Sequence, residues 1–103
     1  MLKVISLLKK KEGMPLEEFR NWALNEHPPL GKKLPGIRHY RMSVILEEDP
    51  ALPYHAVSEF WFDDNEARLA AFATPEGKAA AEDAAAHCSS RVHLLTEEKI
   101  IIE

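Results

Sequence analysis

Apolar and polar positions change period several times along the 103-residue chain, and each change marks an element. Leu2 to Leu8 is a short apolar run, ended by lysines and Gly13, that predicts a first strand. Both of its alternating sets (Leu2, Val4, Ser6, Leu8 and Ile5, Leu7) are mainly apolar, as in a strand covered on both faces. From Pro15 the period lengthens to that of a helix. Leu16, Phe19, Ala23 and His27 share one face with Trp22 beside them, while Pro15 suits the first turn and Glu17 and Glu18 complement the positive end of the dipole. Pro28 and Pro29 interrupt this pattern. A proline inside a helix costs about 3 kcal/mol or more and biases the preceding residue away from α geometry, so the helix is expected to stop or kink at His27. Leu30 to Leu34 then allows one more short turn before Pro35-Gly36.

Ile37 to Glu47 and Tyr54 to Phe62 alternate and predict two strands joined by the turn-like EDPALP, hence a hairpin. Tyr40, Met42, Val44 and Leu46 form the more apolar face of the first, and His39, Arg41, Ser43 and Ile45 the other. The second divides into Ala56, Ser58, Phe60, Phe62 and His55, Val57, Glu59, Trp61. Asp63 or Asp64 caps a helix to about Phe72, with Glu66 completing a capping box after Asp63. Thr74 and Pro75 start a second helical segment, Pro75 to Ala86, whose alanines suit close packing on a sheet more readily than the walls of a hollow. Leu94 to Ile102 is read as the last strand.

The order is β-α-β-β-α-β, an α+β ferredoxin-like arrangement with a four-stranded antiparallel sheet carrying its helices on one face. One helical layer leaves the other face bare, although the strands carry apolar residues on both. A second copy of the chain, sheet against sheet about a two-fold axis, is the expected cover, so a homodimer is predicted.

With 46% hydrophobic residues the chain fills one core and not two, so residues 1–103 are read as one domain. The net charge of -4 and the lack of a basic face interleaved with aromatics argue against nucleic acid or an anionic membrane as partner, and Lys9 to Lys11 read as a solvated strand end. One cysteine, Cys88, excludes an internal disulfide. The opening residues carry their charges after the apolar run, unlike a secretion signal, no stretch has the length of a membrane span, and a cytoplasmic location is expected.

His27 is the first candidate for chemistry. Its helical phase turns it toward the sheet at a proline-stopped helix end, where an imidazole either exchanges a proton or simply fixes the turn. Tyr40 lies on the helix-facing side of its strand, and a buried phenol beside a histidine orients a carbonyl or stabilises an enolate. Glu59 in an apolar strand needs Arg38 or Arg41 as a structural partner, or else serves as a base. His39, His55, His87 and His93 show no metal-ligand spacing, Cys88 lacks a base in chain proximity, and no phosphate-binding glycine motif is present, so neither a metal nor another cofactor is expected.

Trp22 followed by NEHPPL, then LPGIRHY, SEFWFDD and TPEGKAAAEDAA, resembles the EthD-like family of the dimeric α+β barrel superfamily over nearly the whole chain. The resemblance implies a homodimer whose sheets form a barrel, with a pocket between helices and sheet in each chain. It implies His27 and Tyr40 as catalytic positions and Trp22 and Trp61 as aromatic positions of that pocket; Glu59 and Phe72 complete the expected substrate-binding set. Methylmuconolactone-isomerising relatives also carry a cysteine on the second helix, where this chain has Leu69, Ala70, Ala71 and Phe72. The expectation is a small cofactor-independent enzyme, isomerase-like or oxidoreductase- and monooxygenase-like. It would move a proton with His27 on a small apolar carbonyl or phenolic metabolite, in isomerisation, cyclisation, decarboxylation or oxygenation. The alternative is a non-catalytic ligand-binding or accessory protein of a catabolic pathway with the same pocket.

Overall fold

The computed structural model describes residues 1–103. Strand β1 (Leu2–Lys10) leads through Gly13, at φ 82°, into α1 (Leu16–Asn21). A π-helical turn, Trp22–Glu26, continues α1, and a one-turn helix α2 (Pro28–Gly31) follows. The hairpin β2 (His39–Val44) and β3 (Ala56–Phe62), the helices α3 (Asn65–Phe72) and α4 (Pro75–His87), and β4 (Cys88–Thr96) complete the chain. The sheet order is β2-β3-β1-β4, and every neighbouring pair is antiparallel. This is the ferredoxin-like order expected from the alternation, an open sheet with β2 and β4 as free edges. No helix is long and apolar enough to cross a membrane.

Period-two alternation places each side chain. Val4, Ser6 and Leu8 are buried on the helix-facing side of β1, whereas Lys3, Ile5 and Leu7 on the far side are only partly covered. Cross-strand register then aligns three helix-facing rows: Tyr40–Phe60–Val4–Leu95, Met42–Ser58–Ser6–His93 and Val44–Ala56–Leu8–Arg91. Two apolar clusters lie beneath the helices. One gathers Phe19, Trp22 and Ala23 over Leu8 and Ala56; the other gathers Phe60, Phe62, Ala71 and Leu34 around Val4. Full burial of an aromatic such as Phe19 or Trp22 contributes about 2–3 kcal/mol relative to exposure.

Several expectations are corrected. His27 keeps helical angles (φ -75°, ψ -41°) despite preceding Pro28. Its amide reaches the Trp22 carbonyl five residues back at 2.8 Å, and the Leu30 and Gly31 amides reach its own carbonyl at 2.9 and 3.2 Å. The first helical run stops at His27 as expected, but the residue itself stays in helical space, and the prolines occupy the first positions of α2, where an amide is not needed. Asp64, not Asp63, caps α3 by accepting from the Ala67 amide at 2.8 Å, while Asp63 grips the Arg38 guanidinium at 2.8 and 3.0 Å. Thr74 caps α4 as expected. The last strand is not Leu94–Ile102: it starts at Cys88, directly after α4. A strand needs a partner, and β1 begins only one residue beyond Lys3, which faces Thr96; residues 97–103 run past its end and have no regular structure, and Ile100, Ile101 and Ile102 are exposed.

Candidate active site

A mostly apolar cavity of about 260 Å3 lies between the helices and the sheet. Its floor is the Ser58–Ser6 part of the central row with Val4 and Phe60, and its roof includes Ala80, Ala81 and Ala84 of α4. The small side chains of α4 therefore do more than allow close packing: they leave the hollow. His27 and Tyr40 both line it.

The imidazole is held from behind. On α4, Gly77, Ala80 and Ala84 form the buried stripe, and Asp83 stands at its edge, reaching the end of the π turn. One Asp83 carboxylate oxygen lies 2.9 Å from His27 Nδ1 and accepts the Trp22 indole N–H at 2.9 Å. His87, one turn later, donates to the Asp83 carbonyl at 2.8 Å and stacks on Trp22 with centroids 4.7 Å apart and planes 13° apart. The π turn decides which residue the histidine covers: His27 packs over Trp22, ring centroids 4.9 Å apart, five residues back. Burial pushes the Asp83 carboxyl up, but the hydrogen bonds from His27 and Trp22 and the nearby charges of His27 and His87 together outweigh it. The group ends below its ordinary value of 3.8. An ionised carboxylate only accepts, so His27 Nδ1 donates and Nε2 is the free ring nitrogen, making no bond within the chain.

Tyr40 stands against α2. Its ring is packed so closely on Gly31 that a methyl there would sit 2.7 Å from Tyr40 Cε2 and 3.2 Å from its hydroxyl oxygen. Burial pushes the phenol up to about 12, so it is a proton-bearing donor at neutral pH, and its hydroxyl has no partner within the chain. At the β4 side Ser6 Oγ lies 2.7 Å from His93 Nδ1, and Arg68 and Arg91 also line the cavity.

Of the other expected site residues, Phe72 lines this cavity and Trp22 supports it from behind through Asp83 without lining it. Glu59 and Trp61 alternate onto the far face of β3 and are not brought together with His27 and Tyr40. Glu59 pairs with Lys3 at 2.7 Å, not with Arg38 or Arg41, and Trp61 is flanked by Lys3 and Arg41 at 5.0 and 5.1 Å from its ring. Cys88 is buried and its thiol is pushed up to about 11 by that burial, an inert state. Asp83 was missed by sequence reasoning. The chain carried little signal for it: alanines at 79–81 and 84–86 surround α4 and single out no buried face.

The EthD domain family matches residues 11–88. An ethyl tert-butyl ether D (EthD) family protein from Bacillus halodurans is 29% identical, with a TM-score of 0.80 over 96% of this chain and 99% of that one. A dimeric protein of ferredoxin-like fold from Bacteroides fragilis is 23% identical (TM-score 0.71; 94% and 95% covered). Hydroxynitrile lyase from Passiflora edulis shares the fold at 16% identity (TM-score 0.72; 96% and 95% covered). No curated protein matches. With the family matched across all the helices and the β2–β3 hairpin, and the Bacillus halodurans relative superposing over nearly its whole length, the chain belongs to the EthD domain family.

Proposed function

We propose that the chain is a small enzyme that abstracts and returns a proton next to a carbonyl or phenolic oxygen of a small, largely apolar metabolite. The observation that carries this is the Asp83–His27 pair, whose free Nε2 belongs to a ring lining the same half-closed cavity as the unpartnered Tyr40 hydroxyl. In the proposed step the Nε2 lone pair takes a proton from the carbon next to the carbonyl, and the C–H electron pair moves onto the carbonyl oxygen. Tyr40 donates a hydrogen bond to the resulting enolate, and the Asp83 carboxylate stabilises the imidazolium. Return of the proton at the same or another carbon gives exchange or isomerisation; attack of the enolate on an internal electrophile would give cyclisation, its reaction with dioxygen as co-substrate would give oxygenation, and in a decarboxylation the same enolate would arise from loss of CO2 and then take a proton. Phe72 packs against the apolar part of the substrate. A further part of the proposal is a homodimer in which the far sheet faces, with Ile5, Leu7, Val57 and Leu94, pack on each other. The dimeric ferredoxin-like neighbour from Bacteroides fragilis supports that reading.

Deuterium uptake from D2O into phenylacetone, followed by NMR, tests the proton transfer. The parent is expected to accelerate exchange, His27→Gln to lose about 100-fold or more, and Asp83→Asn and Tyr40→Phe about tenfold each. Exchange that survives His27→Gln, or that the parent never accelerates, would falsify the catalytic reading. One observation favours the non-catalytic alternative: His27, Trp22 and His87 form a single stacked and hydrogen-bonded knot around Asp83, which also suits a structural histidine. Under that reading His27→Gln lowers the melting temperature and leaves binding of phenylacetone intact.

A further inference from the structure

Two guanidinium groups line a cavity that is otherwise mostly apolar, and neither has an acidic partner. The six ion pairs of the chain engage Lys3, Lys10, Arg38, His27 and His87, never Arg68 or Arg91. Each arginine is anchored by one neutral contact: Arg68 Nε donates to Asn65 Oδ1 at 2.8 Å, and Arg91 donates to the Ala81 carbonyl at 3.4 Å. A guanidinium has five N–H donors, so most of the fork on each remains unused. They come from opposite walls, Arg68 from α3 and Arg91 from β4, and both lie near enough to His93 for their charges to act on its ring. That ring is held below 6.5 by burial first and by Arg91 and Arg68 next, so the neutral imidazole adds no third cation. Both side chains are half-buried, so their unused donors face the half-closed space and are free to take an anion there.

We propose that Arg68 and Arg91 form a carboxylate subsite at the β4 side of the cavity, so that the metabolite is a small organic acid lying across the sheet. Its apolar body extends over Ser6 and Ser58 toward Tyr40 on β2. The sheet geometry sets the span: Arg91 and Tyr40 lie three inter-strand steps of about 4.8 Å apart, roughly 14 Å, and two helix-facing rows apart along the strands, roughly 13 Å, so about 19 Å separates their backbones. Side chains reaching in from both ends leave room for an acid and a carbonyl joined by a short hydrocarbon or aromatic unit. A planar carboxylate matches the guanidinium forks bidentately. This inference rests on the reading of His27 and Tyr40 as the reacting end, and is tested apart from it.

Calorimetric titration of the full chain with phenylacetate and with phenylacetamide, which differ in charge and little in shape, reads the subsite directly. Phenylacetate is expected to bind about tenfold or more tightly than the amide, and less so as salt rises. Arg68→Gln and Arg91→Gln should each weaken phenylacetate about tenfold while leaving the amide within about twofold; Arg68→Lys and Arg91→Lys should recover part of the loss. Equal affinity for acid and amide sinks the subsite. So does phenylacetate binding untouched by both glutamine variants, no phenylacetate binding at millimolar concentration, or displacement by inorganic phosphate as effective as by a second carboxylate. The two readings fail separately. Deuterium exchange that survives His27→Gln beside an intact preference for acid removes only the catalysis, and lost preference beside His27-dependent exchange removes only the subsite.

Discussion

A carboxylate partly withdrawn from water is unfavourable unless something answers it, and Asp83 is answered by an indole, an imidazole and the neighbouring His87. The same donors that stabilise the carboxylate fix the His27 tautomer, so one residue serves both the core and the proposed chemistry. His55 shows the opposite arrangement. It is buried, its Nδ1 accepts the Lys10 backbone N–H at 3.0 Å, and its ring meets Phe19 edge-on. Burial, then the charges of Lys10 and Lys9 against the opposing Glu48, hold it below its ordinary 6.5. An imidazole depressed in the fold is protonated first in the unfolded chain, so the stability it supports is complete above 6.5 and declines as pH falls toward the folded value. His93 acts with the same sign, and Asp83 titrates lower, its contribution being lost only below 3.8. Urea midpoints are therefore expected to fall between about pH 7 and about pH 5, and His55→Asn, which keeps an acceptor for the Lys10 amide, to flatten part of that slope. A parent midpoint constant over this range would remove the argument.

Between residue and fold, the elements that matter most are the irregular ones. The π turn of Trp22–Glu26 adds a residue before the prolines and sets His27 over Trp22; α2 then brings Gly31 against Tyr40. Two glycines separate structural from functional effects. At Gly77 an added methyl would run into the Ala71 carbonyl and lie 2.5 Å from Phe72 Cα, both backbone of α3, which cannot turn aside. Gly77→Ala is expected to cost about 1–3 kcal/mol in chemical denaturation, the clash outweighing the roughly 1 kcal/mol that alanine gains in a helix. Gly31→Ala meets a side chain instead, the Tyr40 ring. It should leave stability within about 1–2 kcal/mol of the parent and reduce phenylacetone exchange as far as Tyr40→Phe does. Equal exchange in Gly31→Ala and parent would show that the placement of the Tyr40 ring is not used.

Across the molecule, the helix-free side of the sheet is the unfinished surface. Ile5 and Leu94 face each other there, Leu94 is 43% exposed, and charged pairs such as Lys3–Glu59 lie among the apolar side chains. Sedimentation equilibrium is expected to find a dimer at micromolar concentration, and Leu94→Glu, tolerable in a lone chain because the residue is exposed, to yield a folded monomer. A parent that sediments as a monomer would end the proposal of a sheet-to-sheet dimer. Element order, the sidedness of β2 and β3, the cap at Thr74 and the inward face of His27 were all legible along the chain, because helix and strand periods and capping are local properties, whereas the choice between Asp63 and Asp64 waited on Arg38, which engages Asp63. The start of β4 was not: whether a segment after α4 is a strand depends on what β1 still has free to pair. Nor was the separation of Glu59 and Trp61 from His27 and Tyr40. Alternation divides a strand into two faces, but only the docked helices say which face holds the cavity. Asp83, Arg68 and Arg91 are ordinary surface residues by spacing. They come together only because helix and sheet packing brings positions far apart in the chain to one hollow, Arg68 and Arg91 on its wall and Asp83 behind His27.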